Sequence, residues 1–245
     1  YARLATSLTG PGNAYNLIVT RNAAFDAEPN DTAGTAQSIG GNRGVLGRID
    51  VGNILSAQAV PFSFEDISSS GTVITGLNGA DDGAVEIPIG FTFPFYGSNK
   101  TSVFVSSNGL LTFDSANTAF TNADLTASPA QAAIAPFWDD QNVGTGKVLS
   151  QVTGSGSDLH LTIQWNQVSF FSGSTPGDTL TYQAQLYADG RIRLNYQDLV
   201  SGAAPGNNGA SATVGIKDLG AQGSNRLLLA FNNGPNAFVG SGKST

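Results

Sequence analysis

The chain of 245 residues contains no cysteine and no methionine. Without cysteine no disulfide holds it together, and it offers no thiol nucleophile or thiolate metal ligand. A chain with no methionine does not open at a translation start, so Tyr1 is expected to follow a removed signal peptide or preceding domains. Histidine occurs once, at His160, which is too few for a histidine-rich zinc site. It is also the one candidate for the base that a serine triad requires. Charged residues are only 12% of the chain, and its 11 Lys and Arg are scattered, with Arg191 and Arg193 the one close pair. A net charge of −7 and a pI near 4.4 argue against nucleic acid, whose phosphates need clustered cations. No apolar run approaches the ~20 residues that span a bilayer.

What is present is glycine, 31 residues of it, with Ser, Thr, Asn and Gln at the polar positions. That profile suits strands joined by tight turns, in a soluble extracellular chain. Period-two alternation is clearest late in the sequence. Leu159, Leu161, Ile163 and Trp165 alternate with His160, Thr162, Gln164 and Asn166. Leu180, Tyr182, Ala184 and Leu186 repeat the pattern, and after Asp189-Gly190 it returns in Ile192, Leu194 and Tyr196. Each such strand is expected to have one buried and one wet face, as in an antiparallel sandwich. Pro88 and Pro94 interrupt the apolar run Val85–Phe95 and place it at an edge or bend. Residues 103–113 read as a hairpin turning at Asn108-Gly109 through a type I′ turn. Val214–Ile216 and Leu227–Phe231 supply closing strands. Near the start, Ala2–Leu8 and Tyr15–Val19 read as two short strands, and a lone hairpin of that kind must pack on something else.

The search for chemistry returns little. His160 falls on the polar face of its strand, where a surface histidine is expected rather than a general base. Gly240-Ser241-Gly242-Lys243-Ser244-Thr245 imitates a phosphate-binding loop, but Ala237 stands where that pattern needs its first glycine. The pairs Asp81-Asp82 and Asp139-Asp140 are expected in turns or calcium loops, with Asp139 a secondary metal candidate and a carboxylate pairing across the sheets left open. Asp26, Glu28, Asn30 and Asp31 place four oxygen donors within six residues, stiffened by Pro29, which suits Ca²⁺. The same spacing equally suits a solvated linker turn capped by Asn30 or Asp31.

Residues 15–49 carry Tyr15-Asn16-Leu17-Ile18-Val19-Thr20, Phe25-Asp26-Ala27-Glu28-Pro29-Asn30-Asp31-Thr32, Ala36-Gln37-Ser38-Ile39 and Val45-Leu46-Gly47-Arg48-Ile49. This text resembles the bacterial pre-peptidase C-terminal (PPC) family of small secreted β-sandwiches. The resemblance implies a calcium motif at Asp26, Glu28, Asn30 and Asp31. Its phase is unusual: residues 1–20 look like the end of one such module and residues 28–49 like the start of another, whose usual strands do not follow. Residues 60–231 are similar to nidogen-type (NIDO) extracellular sandwiches. The matching pieces are Ile89–Gly97, Val105-Ser106-Ser107-Asn108-Gly109, Ile134–Asp140, Ile163-Gln164-Trp165 and Leu186–Ile192. Such domains are structural or adhesive and share no active site, so this resemblance names a fold and not a reaction.

The reading is therefore an all-β, antiparallel, jelly-roll-like β-sandwich with an N-terminal arm and linker. Residues 1–24 form the arm, 25–58 an acidic linker with the calcium candidate, 59–235 the sandwich and 236–245 a flexible tail. The expected role is non-catalytic: a secreted structural or adhesive module of a filament or large surface protein, self-associating or joined to neighbouring domains, with strand donation as the candidate mode of assembly. The alternative is an accessory domain of a secreted hydrolase. A carbohydrate-binding sandwich would instead need an exposed aromatic platform, for which Trp138 is the open candidate because Trp165 points with the apolar face.

Overall fold

The computed structural model describes residues 23–25, 44–46, 55–172, 178–222 and 226–245. The chain divides into two units, Tyr1–Ile54 and Leu55–Thr245. In the first, β1 (Ala23–Phe25) pairs in parallel with β2 (Gly44–Leu46). The arm strands and the calcium candidates Asp26, Glu28, Asn30 and Asp31 lie outside the described residues.

The second unit is a sandwich of two antiparallel sheets. Its strands are β3 (Thr72–Val73), β4 (Ala84–Phe95), β5 (Ser98–Ser106), β6 (Leu111–Thr112), β7 (Ala133–Trp138), β8 (Gln141–Asn142), β9 (Lys147–Thr153), β10 (His160–Phe170), β11 (Leu180–Tyr187), β12 (Ile192–Asp198), β13 (Thr213–Lys217), β14 (Leu227–Phe231) and β15 (Lys243–Ser244). One sheet runs β15-β12-β11-β10-β9-β3, with β8 beside the far end of β10. The other runs β14-β13-β7-β6-β5-β4. The expected alternation lines the interior: Ile163 and Trp165, Tyr182 and Ala184, and Leu194 and Tyr196 face Val103, Val105, Ile134 and Phe137 in one core. β4 is an edge strand, and its register with β5 breaks between Pro88 and Phe93, as its prolines require.

Two aromatic side chains of the first sheet cross that core and end on the second, and a third joins them through Gln141, whose Nε2 donates to the Phe137 carbonyl. Trp165 Nε1 donates to the Ser106 carbonyl at 2.9 Å and Tyr196 Oη to the Pro136 carbonyl at 2.8 Å. Tyr182 stacks on Trp165, ring centroids 5.0 Å apart, and donates to Gln141 Oε1 at 2.8 Å. These bonds fix the two sheets against each other, which apolar packing alone does loosely.

The faces expected to be wet are not. Thr162, Gln164, Gln183 and Asn195 have no exposed surface. Pairing aligns Gln164 with Gln183, Gln183 with Asn195, and Asn195 with Ser244, a polar row across four adjacent strands. Residues 58–67, which form no regular strand, lie along this row as a strap. The strap's N–H groups at Ile67, Glu65 and Ser63 donate in turn to Gln164 Oε1, Gln183 Oε1 and Ser244 Oγ, at 3.0, 3.1 and 3.2 Å. Its Phe62 and Phe64 stack on one another, and Ile67 is buried.

The chain end is likewise not a frayed tail. Val239 is buried, β15 pairs with β12, and Val60 bridges Ser244. The Lys243 ammonium caps the Asn236 carbonyl, so the phosphate-loop lookalike is structural.

Glu65 anchors the strap. Its carboxylate accepts from Thr153 Oγ1 at 2.9 Å and Gln185 Nε2 at 3.0 Å, and His160 Nε2 lies 2.7 Å away. His160 is thus mostly covered, stacked on Tyr187, with Nδ1 held 2.6 Å from the Asp158 carbonyl. Thr153 and Glu65 face the same ring nitrogen, an arrangement unlike a triad, where the acid and the nucleophile use opposite ones.

Burial raises the Glu65 carboxyl, but hydrogen bonds with His160, Thr153 and Thr162 outweigh it and hold the group below its ordinary 4.5. A depressed carboxylate contributes stability above its unfolded value and loses it as pH falls through the folded one. Urea unfolding across about pH 6 to about pH 3 should therefore show stability falling most steeply below 4.5. In Glu65→Gln, which has no proton to take up there, the slope should be shallower. Superimposable pH profiles for the two proteins would show that the clasp adds nothing.

Candidate functional site

One corner of the sandwich gathers what the rest of its surface lacks. Asp81 and Asp82 sit on the loop between the 3₁₀ turn Thr75–Leu77 and β4, and Asp140 sits on the bend between β7 and β8. The structure brings one carboxylate oxygen from each to within 4.8 Å of the others. Neither pair of adjacent aspartates forms a site by itself. Three carboxylates from two segments about 60 residues apart do.

The piece between them is the β5–β6 connection, Ser107-Asn108-Gly109-Leu110. Gly109 has φ of 67° while Asn108 stays in the ordinary region, so the connection is not the expected type I′ turn. Asn108 is fully buried and bonded on every side. Its Nδ2 donates to Asp82 Oδ1 at 2.8 Å and its Oδ1 accepts the Gln141 N–H at 2.9 Å. Its backbone carbonyl accepts the Asp139 N–H at 3.2 Å. Ser107 holds the other side, accepting the Gly83 N–H at 2.9 Å while its hydroxyl contacts the Asp81 carbonyl. The corner is therefore preorganised by neutral groups.

Its electrostatics are one-sided. Among the described residues none of the three aspartates forms an ion pair. Burial, then repulsion from Asp81 and Asp82, push the Asp140 carboxyl above its ordinary value. Asp81 Oδ1 is sealed from solvent and has no hydrogen-bond partner, the one such side-chain atom among the described residues.

Asp139, the secondary candidate from sequence, does not join the cluster. It is buried and turned the other way, accepting from Ser211 Oγ at 2.5 Å. Burial raises its carboxyl, against the opposing pull of Ser211 and the Asp140 N–H. Asp140 was expected in a turn, and it is in one, but its partnership with Asp81 and Asp82 has no signal in spacing. Both tryptophans are fully buried, Trp138 with its Nε1 donating to the Ala119 carbonyl, so neither offers an aromatic platform. Arg191 stacks over Tyr187 and pairs with Asp189, and Lys217 is buried with its ammonium on the carbonyls of Pro129, Gln131 and Asp218.

Two antiparallel sheets, joined at a neutral hydrogen-bonded corner and rimmed there by carboxylates, define a β-sandwich module. Residues 55–241 match the NIDO-related family, and the chain belongs to it. Alpha-tectorins of Mus musculus, Homo sapiens and Gallus gallus are each 25% identical to it over 164 residues. The matched stretch covers 56% of this chain and only 8% of each alpha-tectorin. No solved structure matches.

Gly109 is the position on which the corner can least give. A Cβ there would lie 2.1 Å from the Phe137 carbonyl, 2.6 Å from Tyr182 Oη and 2.8 Å from Gln141 Nε2, on a backbone with positive φ. Gly109→Ala should destabilise the unit by on the order of 3 kcal/mol, from overpacking and backbone strain together. Chemical denaturation is the measurement, and a loss below about 1 kcal/mol would mean that the turn relaxes freely.

Proposed function

We propose that this chain is a non-catalytic, secreted structural or adhesive module that works within a larger extracellular assembly. The observation that carries the reading is the pairing of a family match over most of the sandwich with relatives in which the matched stretch is 8% of the chain. A segment that makes up so small a part of much longer proteins is a building unit rather than a whole machine. The described surfaces support this reading, because the one histidine is committed to the strap and the carboxylates of the corner serve no visible nucleophile or base.

The proposal extends to assembly through the arm. Ala2, Leu4, Tyr15, Leu17 and Val19 offer apolar positions in two segments whose sequence pattern reads as short strands, and a head-to-tail contact through such strands would build filaments. Light scattering on the full chain should give masses above one copy that grow with concentration, and deletion of residues 1–24 should return a single copy. A monomeric full chain at high concentration, or an oligomer indifferent to the deletion, removes the arm from the assembly. The proposal also places Ca²⁺ at Asp26, Glu28, Asn30 and Asp31, where four oxygen donors fall within six residues of sequence. Calorimetric titration of the full chain with Ca²⁺ should lose one class of site in Asp31→Ala. Identical heats in the two proteins refute that assignment.

A further inference from the structure

We propose that the corner formed by Asp81, Asp82 and Asp140 binds a divalent cation, Ca²⁺ in preference to Mg²⁺, and thereby pins the loop before β4 to the bend after β7.

Three observations carry this. First, the three carboxylates converge from two separate loops, each offering an oxygen within 4.8 Å of the others, with no cationic side chain paired to any of them among the described residues. Like charges brought this close repel unless something positive lies between them. Second, Asp81 Oδ1 is closed off from water and receives no hydrogen bond from protein. A buried carboxylate oxygen left without donor or cation is costly, and folded proteins rarely tolerate one. It is the only polar side-chain atom among the described residues in that condition, and it belongs to a member of this cluster. Third, the site is braced as ligand sites are. Asn108 Nδ2 fixes Asp82 from behind, and Asn108 is itself immobilised by Gln141 and Asp139 of the bend that carries Asp140.

The donor set selects the ion. It is all oxygen, without nitrogen or sulfur, which suits a hard cation and not zinc. Ligands on two loops at irregular angles do not enforce an octahedron, which Mg²⁺ demands and Ca²⁺ does not, and waters complete the larger shell. Asp139 is no ligand, because its carboxylate is spent on Ser211. This corner is distinct in sequence from the Asp26–Asp31 loop, and the two can be told apart.

The test uses the full chain, stripped with chelator and titrated with CaCl₂ or MgCl₂ to about 10 mM, the range of weak extracellular calcium sites. Both tryptophans belong to the sandwich, and Trp138 is two residues from Asp140, so their fluorescence reports on the corner. A saturable Ca²⁺ response is expected, accompanied by a raised thermal midpoint. Asp140→Asn and Asp81→Asn should weaken apparent affinity about tenfold or more, with near-ultraviolet circular dichroism unchanged. Asp82→Asn, at an exposed position, should do the same and decides the matter if either of the others fails to fold. Asp31→Ala should leave the fluorescence titration unaltered. The proposal is overturned by the absence of any saturable Ca²⁺ response, or by one that survives these Asp→Asn changes, and a tighter response to Mg²⁺ overturns the choice of ion.

Discussion

The corner of the sandwich depends on one buried amide. Asn108 has no exposed surface, yet its side chain and backbone reach the loop at Asp82, the bend at Asp139 and the start of β8 at Gln141. Gln141 continues the chain of bonds to the Phe137 carbonyl and to Tyr182 Oη. An unmade bond anywhere in such a network leaves a polar group stranded in the interior, at a cost of about 1–3 kcal/mol each. The network therefore behaves as a unit. It sets where the two sheets meet, and so where the three outer carboxylates stand.

A second polar system, also built on neutral side chains, holds the strap. The strap is held by amide side chains that read its main chain, and the row that does so consists of uncharged Gln, Asn and Ser. Neutral amides can be buried with modest loss when both ends are bonded, whereas Lys or Glu in those places would carry a desolvation cost of several kcal/mol. Glu65 is the exception, and it is partly exposed and met by four donors or ring partners.

How much of this was legible in the sequence follows from range. Alternation is a local signal, so β10, β11 and β12 and their core faces could be read from Leu161, Ile163, Trp165, Tyr182, Leu194 and Tyr196. The edge position of β4 followed from Pro88 and Pro94, which cannot donate to a ladder. The pieces quoted for the NIDO resemblance, Val105–Gly109 and Ile134–Asp140, supply the two walls of one corner. What escaped was non-local. Alternation reports only that a face is polar, not that a strap covers it. The available signal was chemical: Gln164, Gln183, Gln185 and Asn195 are amides where a solvated strand would carry Lys or Glu. The meeting of Asp81 and Asp82 with Asp140 left no trace, because loop-to-loop proximity is set by sheet topology. The order of the last ten residues is also non-local in part: Asn236 Oδ1 accepts the Val239 N–H, and Ser241 Oγ accepts the N–H of the distant Leu199.

The strap has a mechanical consequence. It enters the sandwich beside β15: Thr245 Oγ1 donates to the Gln58 carbonyl at 3.1 Å and Val60 N to the Ser244 carbonyl at 3.0 Å. The two run antiparallel, so tension that draws residues 58 and 245 apart does not stretch the core. It loads this seam one bond at a time, first at Gln58, next at Val60, then at Ser63. Under force the load falls on this seam and on the edge bonds between Thr245 and Leu194 of β12, so the module lengthens by peeling at that edge before the strands of the interior bear load.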